Sequence, residues 1–71
     1  MKKEINIDGM TCQHCVKHVT TALNDIESVT SAVVSLEEKN AVIESSEDLD
    51  EKVIAAAIDD AGYTVTAVRT L

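Results

Sequence analysis

Apolar and polar residues alternate in four short segments of the chain, and this period of two predicts β-strands. The predicted strands span residues 2–8, 29–36, 41–45 and 64–69. Gly9 ends the first strand, and residues 37–40 form the turn between the second and the third. The inward positions of the last three strands are Ala32, Val34, Leu36, Ala41, Ile43, Val65 and either Ala67 or Val68.

Two intervening segments instead carry apolar residues three or four positions apart, which predicts amphipathic helices. The first helix spans about residues 12–25. The second follows an N-terminal cap at Asp48 or Asp50 and stops at Gly62. The apolar stripes contain Cys15, Val19, Ala22, Leu23 and Ile26 in the first helix, and Ile54, Ala57, Ile58 and Ala61 in the second.

The order strand–helix–strand–strand–helix–strand favours an α+β architecture of the ferredoxin-like βαββαβ type. Such a sandwich has a four-stranded antiparallel sheet with two helices on one face. Its topology brings three connections, at residues 9–14, 37–40 and 61–64, to one end of the domain. No proline, low-complexity run or linker interrupts the chain, so we expect residues 1–71 to form a single domain.

The composition supports a small core and narrows the choice of partners. Apolar residues make up 45% of the 71, with Tyr63 as the sole aromatic, so an aliphatic core is expected rather than disorder. The net charge of −7, with only six basic residues, argues against nucleic acid and against direct contact with an anionic membrane. No apolar stretch suits a signal sequence or a membrane span, so the expected location is the reducing cytoplasm.

The only two cysteines, Cys12 and Cys15, lie in the stretch Gly-Met-Thr-Cys-Gln-His-Cys, between a predicted strand and a predicted helix. Free backbone N–H groups and the helix dipole at such a position stabilise negative sulfur and lower thiol pKa values. Two soft sulfur ligands without a carboxylate between them favour Cu(I) over harder ions. We therefore predict that Cys12 and Cys15 are the metal ligands.

This motif, Gly-Met-x-Cys-x-x-Cys, together with the later Ala61-Gly62-Tyr63, resembles the heavy-metal-associated domain family over nearly the whole chain. The Gln-His pair between the cysteines is most similar to bacterial cytosolic copper chaperones. The resemblance implies a copper carrier rather than an enzyme. It also implies Cu(I) as the bound metal and the N-terminal domain of a copper-transporting P-type ATPase as the partner, reached by thiolate exchange.

Five further residues are interpreted through this resemblance. Met10 is expected to anchor the loop to the core as an apolar plug rather than to bind the metal as a thioether ligand. His14 is expected to be a surface residue or a third ligand in a bridged complex. Tyr63 is expected at the metal end, covering the helix end or bonding a thiolate. Thr11 lacks the carboxylate that precedes the first cysteine in zinc- or cadmium-binding relatives. Ser45 replaces a larger apolar residue and is expected to thin the core.

Acidic residues are expected around the cysteines, where they either form a solvated surface or orient a complementary partner domain. These are Glu37, Glu38, Asp59 and Asp60, with only Lys17 and Lys39 opposing them. We expect a monomer without metal, and the exposed thiols with His14 raise the hypothesis of a metal-bridged dimer.

Three alternatives remain open at this stage. The chain could be an excised N-terminal domain of a copper or other heavy-metal ATPase, although the lack of a linker after Leu71 favours a complete small protein. A dithiol redox protein is disfavoured because the chain has no proline and no tryptophan. A zinc site of Cys12, Cys15, His18 and one other group is geometrically conceivable.

Overall fold

Four strands and two helices follow one another in the predicted order. The computed structural model describes all residues from Met1 to Leu71. Its elements are β1 (Lys2–Asp8), α1 (Gln13–Asn24), β2 (Val29–Ser35), β3 (Asn40–Ser45), α2 (Glu51–Asp60) and β4 (Thr64–Thr70). The second strand ends one residue earlier than predicted, before Leu36. The ferredoxin-like βαββαβ prediction is confirmed.

The sheet has the strand order β2-β3-β1-β4, and every neighbouring pair is antiparallel. The first strand is therefore central, and Ile5 pairs with Ala41 on one side and with Val68 on the other. Hydrogen-bonded neighbours on both sides hold β1 in place along its length. This central strand leads directly into the loop that carries the cysteines.

A bulge in β4 settles which of its residues face the core. Asn6 pairs with Ala67 but Ile7 pairs with Val65, so Thr66 is an extra residue on β4. The extra residue reverses the alternation of side chains across the sheet. Val65 and Val68 consequently both pack against the core, whereas Ala67 is exposed.

The core lies between the helices and one face of the sheet and is entirely aliphatic apart from a methionine. Its buried residues are Ile5, Ile7, Met10, Val19, Leu23, Ala41, Ile43, Ile54 and Ile58. Each helix contributes two fully buried side chains spaced four positions apart, as the apolar stripes predict. The alanines of both stripes are only partly buried. Neither helix has the length and apolar character needed to cross a membrane.

A polar group of side chains closes the core at the end remote from the cysteines. Ser45 is only 5% exposed, and its hydroxyl donates a hydrogen bond to the carbonyl oxygen of Glu47 at 2.5 Å. The buried Lys3 ammonium lies 3.1 Å from an Asp48 carboxylate oxygen and donates to the Thr70 hydroxyl at 3.3 Å. Ser45, which was expected to thin the core, thus belongs to a hydrogen-bonded polar end, and no buried side-chain polar atom lacks a partner.

The two ends of the domain differ in what they carry. The chain termini lie at the polar end, where the Met1 amine donates to the Ser45 carbonyl and the Leu71 N–H donates to the Lys2 carbonyl. At the opposite end, the Ile7 N–H donates to the carbonyl of Lys39 at 3.0 Å, which ties the β2–β3 turn to β1. We call this second end, formed by residues 9–15, 36–39 and 59–63, the thiol tip.

The N-terminus of α2 is capped by Asp50, one of the two residues predicted for this role. Its carboxylate accepts a hydrogen bond from the Lys52 N–H at 2.9 Å. Asp48 instead pairs with Lys3. A capping side chain satisfies one of the backbone N–H groups that have no partner within the helix.

We therefore predict that Asp50→Ala lowers the free energy of unfolding by about 1 kcal/mol, because the cap is lost. Asp50→Asn is the matched control and should retain most of the stability, since an asparagine oxygen caps equally well. Urea unfolding of the metal-free protein measures both values. Equal losses in the two variants would show that charge, not capping, is the contribution of Asp50.

Candidate metal centre

The cysteine loop starts with an unusual backbone conformation and an apolar anchor. Gly9 has φ +91°, a region that L-residues with a side chain rarely adopt. A methyl group at Gly9 would lie 3.7 Å from Tyr63 Cδ1, an ordinary contact, so the dihedral angle and not space requires glycine. Met10 follows with a fully buried side chain, whereas Thr11 and Cys12 are exposed.

Cys12 is the residue that caps α1. Its backbone is extended, with φ −148° and ψ 168°, and its carbonyl accepts the first helical hydrogen bond from the Val16 N–H at 3.2 Å. No side chain caps this helix, and its first turn contains no acidic residue. The positive end of the α1 dipole is therefore available to a negative sulfur.

The two sulfur atoms lie 3.0 Å apart and both thiols are free. Cys12 is exposed and Cys15, one turn further along α1, is half-buried. The extended cap residue and the first helical turn together direct both side chains to the same point of the thiol tip. An external ligand or partner can reach this point from solvent.

The environment favours the ionised form of Cys15. The side-chain hydrogen bond from Cys12 is the largest cause, followed by one from the Tyr63 hydroxyl and one from the backbone of Thr11. Together they lower the pKa of the Cys15 thiol from 9.0 to about 6, against the opposing effect of desolvation. The lowered pKa favours the thiolate of Cys15 at neutral pH, the form that binds soft metals and acts as a nucleophile.

Tyr63 faces the same sulfur from the turn after α2. Hydrogen bonding with Cys15 is the largest cause that raises the pKa of the Tyr63 hydroxyl to about 12, followed by desolvation and the negative charge of the cysteine thiolates. The hydroxyl therefore keeps its proton and remains a hydrogen-bond donor across the physiological pH range. The Tyr63 oxygen also lies 3.4 Å from Nδ1 of His18 on α1.

Comparison with known proteins decides the family. The sequence profile of the heavy-metal-associated domain matches residues 4–64, which is most of the chain. The protein belongs to this family. A relative from Staphylococcus aureus strain RF122 / ET3-1, named copper chaperone CopZ, is 43% identical over 70 residues, covering 92% of this chain and 98% of the relative.

Two solved structures agree with the fold. A structure of the CopZ metallochaperone superposes with a TM-score of 0.86 at 36% identity, covering 93% of this chain and all of that one. A copper binding domain from HMA7, a P-type ATPase, gives a TM-score of 0.81 at 31% identity, covering 96% and 97% of the two chains. Similarity thus extends to carriers and to domains of pumps.

The residues predicted to support the metal site differ in burial and in their distance from the sulfurs. Met10 lies in the core, as expected of an apolar anchor in a heavy-metal-associated domain, and His14 is exposed on the first turn of α1. Tyr63 is close enough to Cys15 to change its pKa. No three His, Cys, Asp or Glu side chains converge anywhere in the structure, and His18, required for the zinc alternative, contacts Tyr63.

The contact between His18 and Tyr63 was not anticipated from the sequence. Its two partners are 45 positions apart and belong to different elements. The only sequence signal is that His18 lies one helical turn after Cys15, which places it on the same side of α1.

We predict that alkylation of the reduced, metal-free protein shows a Cys15 thiolate above pH about 6 and a protonated thiol below it. Site-resolved mass spectrometry of the alkylated peptides at a series of pH values measures the midpoint. Tyr63→Phe should move the midpoint upward, because the thiolate loses a hydrogen-bond donor. A native profile centred near 9.0, the value for an unperturbed thiol, would contradict the assignment.

Proposed function

We propose that this protein is a cytoplasmic Cu(I) chaperone, a carrier and not an enzyme. Cys12 and Cys15 bind the ion and pass it by thiolate exchange to the N-terminal domain of a copper-transporting P-type ATPase. The observation that carries the proposal is the pair of free sulfurs, 3.0 Å apart, on the exposed thiol tip. The names of the relatives support copper as the cargo.

The chemistry of the donor set supports a soft, monovalent ion. Thiolate sulfur is a soft ligand that selects Cu(I), and no carboxylate joins the pair to supply the oxygen that harder ions prefer. Thr11, directly before the first cysteine, offers only a hydroxyl. Ag(I) and Hg(II) share the softness of Cu(I) and would compete for the same two sulfurs.

Binding requires the two sulfurs to separate. Metal–thiolate bonds are about 2.3 Å long in zinc sites, so a nearly linear S–metal–S arrangement needs sulfurs about 4.6 Å apart. The separation of 3.0 Å must therefore increase on loading. Cys12 is the more exposed of the two, at the start of the helix, so rotation of its side chain meets the least resistance.

A two-coordinate ion at an exposed tip can be handed over without being released to solvent. A thiolate of the partner forms a third bond to the ion, and one of the original sulfurs then leaves as a thiolate. No electron is transferred, and the charge on the ion is unchanged. The Tyr63 hydroxyl, which lowers the pKa of the Cys15 thiol, would stabilise the departing thiolate of that residue.

The acidic residues of the thiol tip would orient the partner. Glu37 and Glu38 are exposed in the β2–β3 turn, and Asp59 and Asp60 are exposed at the end of α2. None of the four takes part in a salt bridge, so their charges remain uncompensated by side chains of this protein. Long-range attraction of this kind raises association rates more than affinity, which suits a brief transfer complex.

The similarity to a copper binding domain from HMA7 favours a second candidate function, that of a receiving domain in a P-type ATPase. The same sulfurs and the same exchange chemistry would then accept the ion rather than deliver it. Relative affinity for Cu(I) against a separate pump domain distinguishes donor from acceptor.

We predict tight Cu(I) binding with at most one ion per chain and weak Zn(II) binding. The measurement is an anaerobic titration of reduced protein against a competing chelator, repeated with zinc and followed by sedimentation to detect a metal-bridged dimer. Cys12→Ser and Cys15→Ser should each abolish tight binding, because one sulfur cannot complete the site. Circular dichroism of the metal-free variants should remain native.

Thr11→Ser is the matched control and should bind copper like the native protein. Thr11→Asp should raise zinc affinity relative to copper, because it adds a hard oxygen ligand beside the sulfurs. Preferred zinc binding by the native protein, or no metal binding, would overturn the copper proposal. Unfolding of either metal-free serine variant would instead indicate a structural role for that cysteine.

We also predict that Glu37→Lys combined with Glu38→Lys slows copper transfer about tenfold at low ionic strength, because attraction to the partner is lost. The probe is a metal-free N-terminal domain of a copper-transporting P-type ATPase, with transfer followed by stopped-flow mixing. Glu44→Lys with Glu47→Lys changes the net charge equally at the polar end and should have little effect. Equal slowing by both pairs would contradict a localised docking surface.

A further inference from the structure

The two edges of the sheet differ in how far they are protected against pairing with a further strand. The strand order β2-β3-β1-β4 leaves β2 and β4 each with one unpaired side. Natural proteins usually protect such edges with charged side chains, prolines or bulges. β4 has a bulge at Thr66 and carries Arg69, whose guanidinium donates a hydrogen bond to Glu4 at 2.7 Å. β2, with the sequence Val-Thr-Ser-Ala-Val-Val-Ser, has neither a charge nor a proline.

Most of β2 is also regular and has no other partner along its outer side. Its pairing with β3 is continuous from Ser31 to Ser35, and the register shift at Thr30 lies before this segment. No turn, loop or cap hydrogen bond involves the backbone of residues 30–35. The N–H and C=O groups on the outer side of β2 are therefore available to another strand.

An apolar pair of side chains lies beside this edge, on the face of the sheet that the helices leave open. Val33 is 66% exposed and pairs with Val42 of β3. Ala41 and Ile43, the neighbours of Val42, are in the core, so Val42 and Val33 point to the opposite face. The two valines line a shallow depression that extends to Ser31 at the edge. A strand added to β2 would cover this apolar surface.

The lack of charge on β2 favours a second copy of this chain as the added strand. An uncharged edge offers nothing that selects an acidic or a basic peptide, whereas two copies of β2 can pair without opposing like charges along the strand. In antiparallel pairing about a two-fold axis at Val33, this residue lies opposite Val33 of the second copy. Together with Val42 of each copy, the valines form one row across the joined sheet.

We propose that two copies of this protein associate without metal through their β2 edges, which pair antiparallel about Val33. The two four-stranded sheets then form one continuous sheet, with the helices of both copies on the same face. β2 runs from the polar end to the thiol tip, so the thiol tips of the two copies point in opposite directions. Both cysteine pairs stay accessible, whereas a metal-bridged dimer requires the thiol tips to meet.

The size and charge of this contact make it weak. Stable interfaces bury at least about 1,200 Å² in total, and one short strand edge covers less than this. Each copy has a net charge of −7, and the pairing brings Glu27, before β2, towards Glu37 of the other copy, after β2. Association is therefore confined to concentrated protein and is strengthened by salt, which screens the repulsion. The monomer expected from the sequence is the state of the dilute protein.

The test is sedimentation equilibrium of the reduced protein with a chelator present, from about 10 μM to about 1 mM protein, the range in which weak contacts form. We expect a dimer at the upper end, in a proportion that rises with salt concentration. Val33→Lys should lower the association constant about tenfold, because two ammonium groups then face each other across the two-fold axis. Its side chain is exposed, so the metal-free variant should keep a native circular dichroism spectrum.

Two controls add the same charge at other exposed positions. Val53→Lys changes a valine on α2 that is 47% exposed, and Ala67→Lys changes the edge of β4. Both variants should associate at least as well as the native protein, since each lowers its net negative charge away from β2. Replacement of Cys12 and Cys15 together by serine should also leave the dimer unchanged, because no thiol takes part.

Amide hydrogen exchange locates the contact, and protection should increase at residues 31–35 but not at residues 64–70 as the protein concentration rises. A monomer at every concentration and salt level, or equal weakening by Val33→Lys and Val53→Lys, would overturn the proposal. Loss of the dimer in Ala67→Lys alone would assign the contact to β4 instead. Protection of residues 31–35 only after a separate pump domain is added would show that a different protein occupies the edge, and would equally reject self-association.

Discussion

Burial of Met10 is the contact on which the geometry of the thiol tip depends. Its side chain is fully buried, although Gly9 before it and Thr11 after it are exposed. This apolar anchor lies between the central strand and α1, and the half-buried Cys15 adds a second contact with the core, so Cys12 can remain exposed. Because β1 is paired on both sides, it is the most constrained strand of the sheet, and Met10 fixes the position of Cys12 relative to it.

The charges on the helices follow two different rules. At the polar end, α2 begins with the acidic residues Asp50 and Glu51, which complement its dipole. Acidic residues usually stabilise helix N-termini and basic residues helix C-termini. At the thiol tip this is reversed, because α1 starts without an acidic residue and α2 finishes with Asp59 and Asp60. The N-terminus of α1 is left for a thiolate, and the end of α2 adds negative charge that helix stability does not require.

The sequence predicts the order of the elements and places their bounds within a residue or two of those observed, because each apolar period is interrupted by a clear turn or cap. Periodicity could not choose between Ala67 and Val68, since the choice depends on a bulge at Thr66 that only pairing with β1 reveals. The lowered thiol pKa was predicted from the position of the cysteines at the start of a helix, but the largest causes in the structure are side-chain hydrogen bonds from Cys12 and Tyr63 to Cys15. Contacts such as His18–Tyr63 join residues that are distant in sequence, so local sequence patterns cannot predict them.

The position of both chain ends at the polar end has a practical and a physical consequence. Any tag, surface or further domain attached to Met1 or Leu71 is separated from the sulfurs by the length of the central strand. The protein can be tethered by either terminus while the thiol tip points away from the attachment point and stays accessible to a partner. In a tethered arrangement, the length and stiffness of the connecting segment would set the effective concentration of the thiols at a neighbouring site, with no change in the domain itself.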